Sequence, residues 1–306
     1  MLSISGNDVF VDQVTANMTS TNNCLFFIEA SNFITVQNLN ALNVRNGDAR
    51  SGMFLLDFES VEGVLLDTIN LVSLNLFISY ISSSSATSTN SFLNIAITGH
   101  FVNPTTQSGS LITSYANSTI LQNIHLNAAS IGLTNIQGNL EIENCTFNGF
   151  NPSTNFINVV PFGLSSGFPS VIVSNTIISH CSVTNAMSLI ADRVVLENVQ
   201  LLYCFLTTFV TSEASGVYID VEVSNSVFSN LNVSLSLFSS GSLSVSNTEI
   251  SSISYLPHSG ISESDGTPIF KVLTTNSVLQ AVSFSNVTFS QNTCMYLSLF
   301  FYLVNN

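Results

Sequence analysis

An all-β solenoid is the fold class that the 306-residue sequence predicts, and three observations predict it. A short pattern recurs along the chain, seen in LEIENCTFNG (140–149), VEVSNSVFSN (221–230), LSVSNTEISS (243–252) and VSFSNVTFSQ (282–291). Within it apolar and polar residues alternate with period two, the signature of strands rather than helices. A second apolar motif, which played no part in defining the first, recurs nine times, each time after a repeat, at variable distance.

The first pattern is anchored at Gln13, Asn38, Thr68, Asn94, Asn123, Asn144, Asn175, Asn198, Asn225, Asn247 and Asn286. Two residues before each anchor stands an apolar side chain, from Val11 and Val36 through Ile142 to Phe284. Three residues after it stands another, from Ala16 and Ala41 through Phe147 to Phe289. The second motif then reads LFFIEAS (25–31), MFLLDFE (53–59), NLFISYI (75–81), GSLITSY (109–115), NFINVVP (155–161), MSLIADR (187–193), LSLFSSG (235–241), PIFKVLT (268–274) and LSLFFYL (297–303). Anchor spacings run from 21 to 39 and average about 27 residues, inside the range of solenoid repeats. Positions −4, −2 and 0 share one strand face, so an inward apolar pair carries the anchor inward with it. Apolar residues resume at +1 and +3, as at Val199 and Leu201, so the alternation breaks and a corner lies at the anchor. Asn tolerates the left-handed backbone of a tight bend, and its amide both donates and accepts. The nine anchor asparagines, 38, 94, 123, 144, 175, 198, 225, 247 and 286, are therefore expected to stack as a hydrogen-bonded ladder inside the wall.

With VEVSN and LSVSN on the page, the chain resembles the right-handed parallel β-helices of the pectin-lyase-like superfamily over roughly residues 9 to 304. The resemblance implies coils of three short strands, about eleven of them, and an internal asparagine ladder. A single β-helix domain over 1–306 is expected, as a piece of a longer repeat protein continued by further coils or a membrane anchor. The connections 82–91, 102–109, 150–155, 161–169 and 256–268 are rich in Ser, Asn, Gly and Pro and read as flanking loops.

Composition narrows the function. The chain is 45% hydrophobic and 7% charged, enough to bury a large core. Four Lys and Arg against 18 Asp and Glu give a net charge of −14, which repels nucleic acid and anionic lipid headgroups. Mean hydropathy is positive, yet 69–81 and 295–304 are too short to span a bilayer as helices and suit strands. The start, MLSISGNDVF, shows no secretory signal. The sequons at Asn17, Asn117, Asn144, Asn232 and Asn286 give weak support to an extracellular setting. On the ladder reading, Asn144 and Asn286 face inward and are closed to modification.

Polysaccharide-cleaving members of the resembled superfamily cluster carboxylates with a basic residue. Here the basic residues are Arg45, Arg50, Arg193 and Lys271, and none sits in an Arg-rich or Asp-Asp motif. The densest acidic group is Asp57, Glu59, Glu62 and Asp67, with Asp48 nearby, and it reads first as a solvated face. Glu263 and Asp265 form a weaker pair, and Glu141, Glu143, Glu197 and Glu222 are scattered on outward strand positions. His100, His125, His180 and His258 have no partner at catalytic or metal spacing. No cofactor and no metal are expected. Cys181 and Cys204 both fall six residues after consecutive anchors, so they stack at the spacing of neighbouring strands. A reduced pair is expected, because spacing alone does not set disulfide torsion. No Thr-x-Thr array suggests ice binding. The expectation is a structural or adhesive module at the cell surface or outside the cell, contacting carbohydrate or other surface proteins. The alternative is a pectin-lyase-like polysaccharide lyase or glycoside hydrolase.

Overall fold

The computed structural model is a parallel β-helix, and it describes residues 2–17, 20–21, 26–46, 54–72, 77–100, 110–129, 132–151, 155–162, 167–212, 219–255, 270–272 and 282–292. All strand pairings among them are parallel, and each joins a segment to the equivalent segment one coil away.

Three walls run along the axis. The first holds the strands that enter each anchor, stacked from 9–12 through 193–197 to 282–285. The second holds the four or so residues that leave it, from 14–17 through 200–202 to 287–290. The third holds the second sequence motif, including Phe26–Ala30, Phe54–Ser60, Phe77–Ser83, Ile157–Val160 and Phe270–Val272. Segments 132–137 and 208–212, which lack a visible copy of that motif, stack there too. A short parallel strip, 182–183, 205–206, 231–233 and 253–255, lies between the second and third walls.

All eleven anchors adopt the left-handed backbone, with φ between 47° and 56°. The expected corner is therefore present at every one. A second left-handed corner follows five residues later, at Asn43, Ala128, His180, Tyr203, Asn230, Ser252 and Gln291, and at the glycines Gly99 and Gly149. Two left-handed residues five apart fold each of these coils around a second wall only a few residues wide.

The left-handed residue also resets which face points inward, as it does in a bulge. Val223 and Val245 at −2 are buried, the anchors Asn225 and Asn247 are exposed, and Ser226 and Thr248 at +1 are buried again. The ladder asparagines thus lie outside the corner rather than inside the wall: Asn38, Asn94, Asn144, Asn175, Asn198, Asn225, Asn247 and Asn286 are exposed and Asn123 is half-buried. The stacking itself is present. Asn123 donates to Asn94, Asn198 to Asn175 and Asn286 to Asn247, at 2.8–2.9 Å. Where the preceding anchor is not Asn, the Asp just before it substitutes as acceptor, Asp12 beside Gln13 for Asn38 and Asp67 beside Thr68 for Asn94. Backbone bonds reinforce the corner, as in the Asn198 and Asn225 amides donating to the Ser224 and Ser246 carbonyls.

A polar ladder does run inside the solenoid, where the third wall bends into the first. Ser60 and Ser83 share a hydrogen bond, Ser83 donates to Asn90, Asn90 donates to Ser114, and Ser114 meets Thr119. All five are buried, and Asn90 also accepts from the Val64 backbone amide. In register, Asn90 and Thr119 occupy the column otherwise filled by Ile34, Val64 and Leu140. Much of the remaining interior is apolar, with a chain of rings, Phe228, Phe209, Phe238 and Phe270, along one stretch of the axis, and buried hydroxyls such as Thr134, Thr176 and Ser226 are set among the apolar side chains.

Cys181 and Cys204 are joined as a disulfide with Cα atoms 4.6 Å apart, which corrects the expectation of a reduced pair. Both follow a second corner by one residue, so both point into the core beside each other. Cys145, the free cysteine among the described residues, is buried, and burial is the chief cause that pushes its thiol up to about 11. No described helix is long and apolar enough to cross a membrane.

Candidate functional site

The acidic group of the sequence is split by the fold. Asp57 and Glu59 lie two residues apart on the third wall, with Glu29 in register beside Glu59 on the preceding coil. Glu62 is exposed in the bend that leaves this wall. Asp67 belongs to the first wall, where its carboxylate accepts from Thr68 and Asn94 and completes the ladder. The carboxyl of Asp57 is held above the usual range, first by burial and then by the neighbouring Glu59 charge. Tyr80 stands next to Asp57 in register and meets Tyr115 edge-on at 5.4 Å. Its phenol is raised first by burial, then by Tyr115 and the two carboxylates. Glu263, Asp265, His258, Asp48 and Arg50 lie outside the described residues.

Glu141, Glu143, Glu197 and Glu222 do face away from the core on the first wall. Glu222 is paired in a two-point contact with Arg193 of the neighbouring coil, at 2.8 and 3.2 Å. Among the described residues no three of His, Cys, Asp and Glu converge to hold a metal.

A different surface carries shape. It is built by the second corner, where successive coils present His180, Tyr203, Asn230, Ser252 and Gln291 in left-handed conformations. These side chains stand outside the coil for the same reason as the anchors. The imidazole of His180 stacks on the Tyr203 ring, 5.2 Å between centroids and 18° between planes. Its Nδ1 lies 3.0 Å from the Asn148 side-chain oxygen. Two residues further along, Phe205, Asn232 and Ser254 form an outward column in register on the short strip. Between the two columns lies an open depression of ≈ 410 Å³, lined by Tyr203, Phe205, Asn230, Leu231, Asn232, Ser252, Ser254 and Gln291.

No family model, no curated protein and no solved structure matches this chain.

Tyr203 and Phe205 are each 52% exposed and stand two residues apart, so they form a pair where Phe10 and Phe168 are exposed singly. They flank Cys204, so the disulfide that fixes Cys204 also fixes the backbone carrying both rings. Among the described residues no carboxylate, ammonium or guanidinium group lines the depression. On its rim Ser252 donates to Gln291 at 3.3 Å, and Asn292 accepts from the Ile253 amide. Neither ring was singled out by sequence reasoning. The one available signal was the aromatic pair at +5 and +7 from anchor 198, straddling a cysteine.

Proposed function

We propose that this chain is a non-enzymatic adhesive module of an extracellular or cell-surface protein, in which the solenoid is a stiff spacer and the second-corner face is a contact surface. The observation that carries the reading is the pair of half-exposed rings beside an amide-lined depression, fixed on two coils by a disulfide. Exposed aromatics set among amides and hydroxyls are the composition of surfaces that hold other molecules. A structural disulfide supports an oxidising setting, since disulfides persist outside the reducing cytosol. A rod whose coils are each bonded to both neighbours presents such a face without reorganisation.

The cleavage reading has its own supporting observation, the third-wall face of Glu29, Asp57 and Glu59 with the Asp57 carboxyl raised. A carboxyl raised above the usual range beside a second carboxyl is the pattern of acid and base roles in glycoside hydrolysis. One experiment separates the two. Beads coated with the chain are expected to be retained under flow on films of polysaccharide or matrix glycoprotein. The same chain is expected to release no unsaturated or reducing ends from pectic, alginate or chondroitin-type polymers. Turnover that disappears in Asp57→Asn or Glu59→Gln would overturn the adhesive reading in favour of the enzyme.

A further inference from the structure

The two columns around the depression differ in chemistry in a way that points to a ligand. One coil supplies aromatic faces, Tyr203 and Phe205; the next coils supply amides and hydroxyls, Asn230 and Asn232, then Ser252 and Ser254. An apolar ligand would be matched by rings throughout, and an ionic one by an opposite charge, yet the lining has neither among the described residues. A molecule with one apolar flat face and a perimeter of hydroxyls fits both halves. Amides give donors and acceptors together, as hydroxyl groups require. The volume lies within the range of small-ligand sites.

We propose that this depression binds a neutral glycan, with the C–H face of a hexopyranose ring on Tyr203 and Phe205 and its hydroxyls on the Asn230 and Asn232 amides. The coil repeat of about 4.8 Å is comparable to the length of one hexose unit, so successive sugars meet successive coils, and the chain of sugars lies along the solenoid axis. Acidic glycans are disfavoured twice, by a lining whose described residues offer no cation and by the net charge of −14. The Cys181–Cys204 disulfide holds the aromatic coil against its neighbour, so little side-chain or backbone freedom remains to be lost on binding. The proposal rests on the adhesive reading and names the ligand class of that same face.

The test uses the chain produced without N-glycosylation, because Asn232 begins a sequon. Neutral gluco-, manno- and galacto-oligosaccharides of two to six units, with polygalacturonate as the acidic comparison, are titrated and followed by saturation-transfer NMR. At least one neutral series is expected to bind, with transfer strongest to ring C–H protons. Phe205→Ala and Tyr203→Ala are expected to weaken binding tenfold or more, while Ile172→Ala, a comparably exposed apolar side chain on the first wall, leaves it unchanged. Unaltered far-UV spectra and unfolding midpoints establish that these exposed-site variants are folded. No neutral binding, binding by both ring variants as tight as that of the parent, or tighter binding of polygalacturonate would overturn the proposal. Bead adhesion that is lost in the ring variants but indifferent to free oligosaccharide would overturn the glycan and leave the adhesive reading, with a protein as partner. Oligosaccharide binding without bead adhesion would support the site and overturn the adhesive reading.

Discussion

Gly63→Ala is expected to destabilise the fold by on the order of 3–5 kcal/mol, combining left-handed backbone strain with a collision against main chain. Gly63 opens the first-wall strand Gly63–Val72 at φ 146°, a region that residues with a Cβ rarely enter. A Cβ built there would fall on the Thr89 carbonyl of the next coil, which is main chain and cannot rotate aside. Thr89 cannot retreat cheaply either, because its amide donates to Glu62 and its neighbours pair with both adjacent coils. Gly167→Ala is the matched comparison. It has nothing within 4 Å of its built Cβ and no positive φ, so a change within about 0.5 kcal/mol is expected. Urea unfolding of the two variants checks this, and equal midpoints would mean that the bend between third and first walls is misplaced.

The second large effect is expected at Asn90. Asn90→Leu keeps roughly the size of the side chain but removes three interior hydrogen bonds, leaving the Val64 amide without its side-chain partner and the Ser83 and Ser114 hydroxyls with Ser60 and Thr119 alone. The orphaned amide costs about 1–3 kcal/mol and each lost side-chain bond about 0.5–1.5 kcal/mol, so a loss of roughly 2–6 kcal/mol is expected. Removing partners together should cost less than the sum. Asn90→Leu combined with Ser114→Ala is expected to show a favourable coupling of about 0.5–3 kcal/mol, read from a double-mutant cycle in urea. Strict additivity would mean that the two side chains do not touch. A loss under about 0.5 kcal/mol would place Asn90 at the surface.

Much of this architecture is legible in the sequence, and the parts that are not have identifiable causes. The corners at the anchors are legible because a left-handed residue selects Asn, and nine of eleven anchors carry it. The face of those asparagines is not, because strict alternation puts position 0 with −2. The left-handed residue inverts that phase, which turns Asn198 outward and Val199 inward. The second corner has no common residue type, ranging from Ala128 to Tyr203, so no composition signal marks it. Its exposed stacking of His180 on Tyr203 follows only once the corner is known. The internal polar ladder hides in 82–91, whose Ser-rich run reads as a loop, although Ser83 and Asn90 are buried. Two third-wall segments, 132–137 and 208–212, are not legible as copies of the second motif because polar residues such as Thr134 and Thr208 stand at core-facing positions. The acidic quartet looks contiguous in sequence, but Asp67 is across a bend from Asp57 and serves the ladder. The depression between Tyr203 and Phe205 depends on four coils at once, and spacing along one chain cannot reveal it.

The central claim, that each anchor is an outward-facing left-handed corner, is tested most directly by urea unfolding of Asn198→Gly beside Asn198→Val. Asn198 has φ 53°, is exposed, and shares one surface hydrogen bond with Asn175. Glycine accepts that backbone without strain, and the surface bond contributes little in water, so Asn198→Gly is expected to lie within about 0.5 kcal/mol of the parent. Valine is β-branched and strained in the same conformation, so Asn198→Val is expected to lose about 1–2 kcal/mol or more. An inward-facing ladder requires the reverse emphasis: Asn198→Gly would leave a void and buried unpaired amides, and cost about 2–4 kcal/mol. That larger loss on glycine would contradict the account.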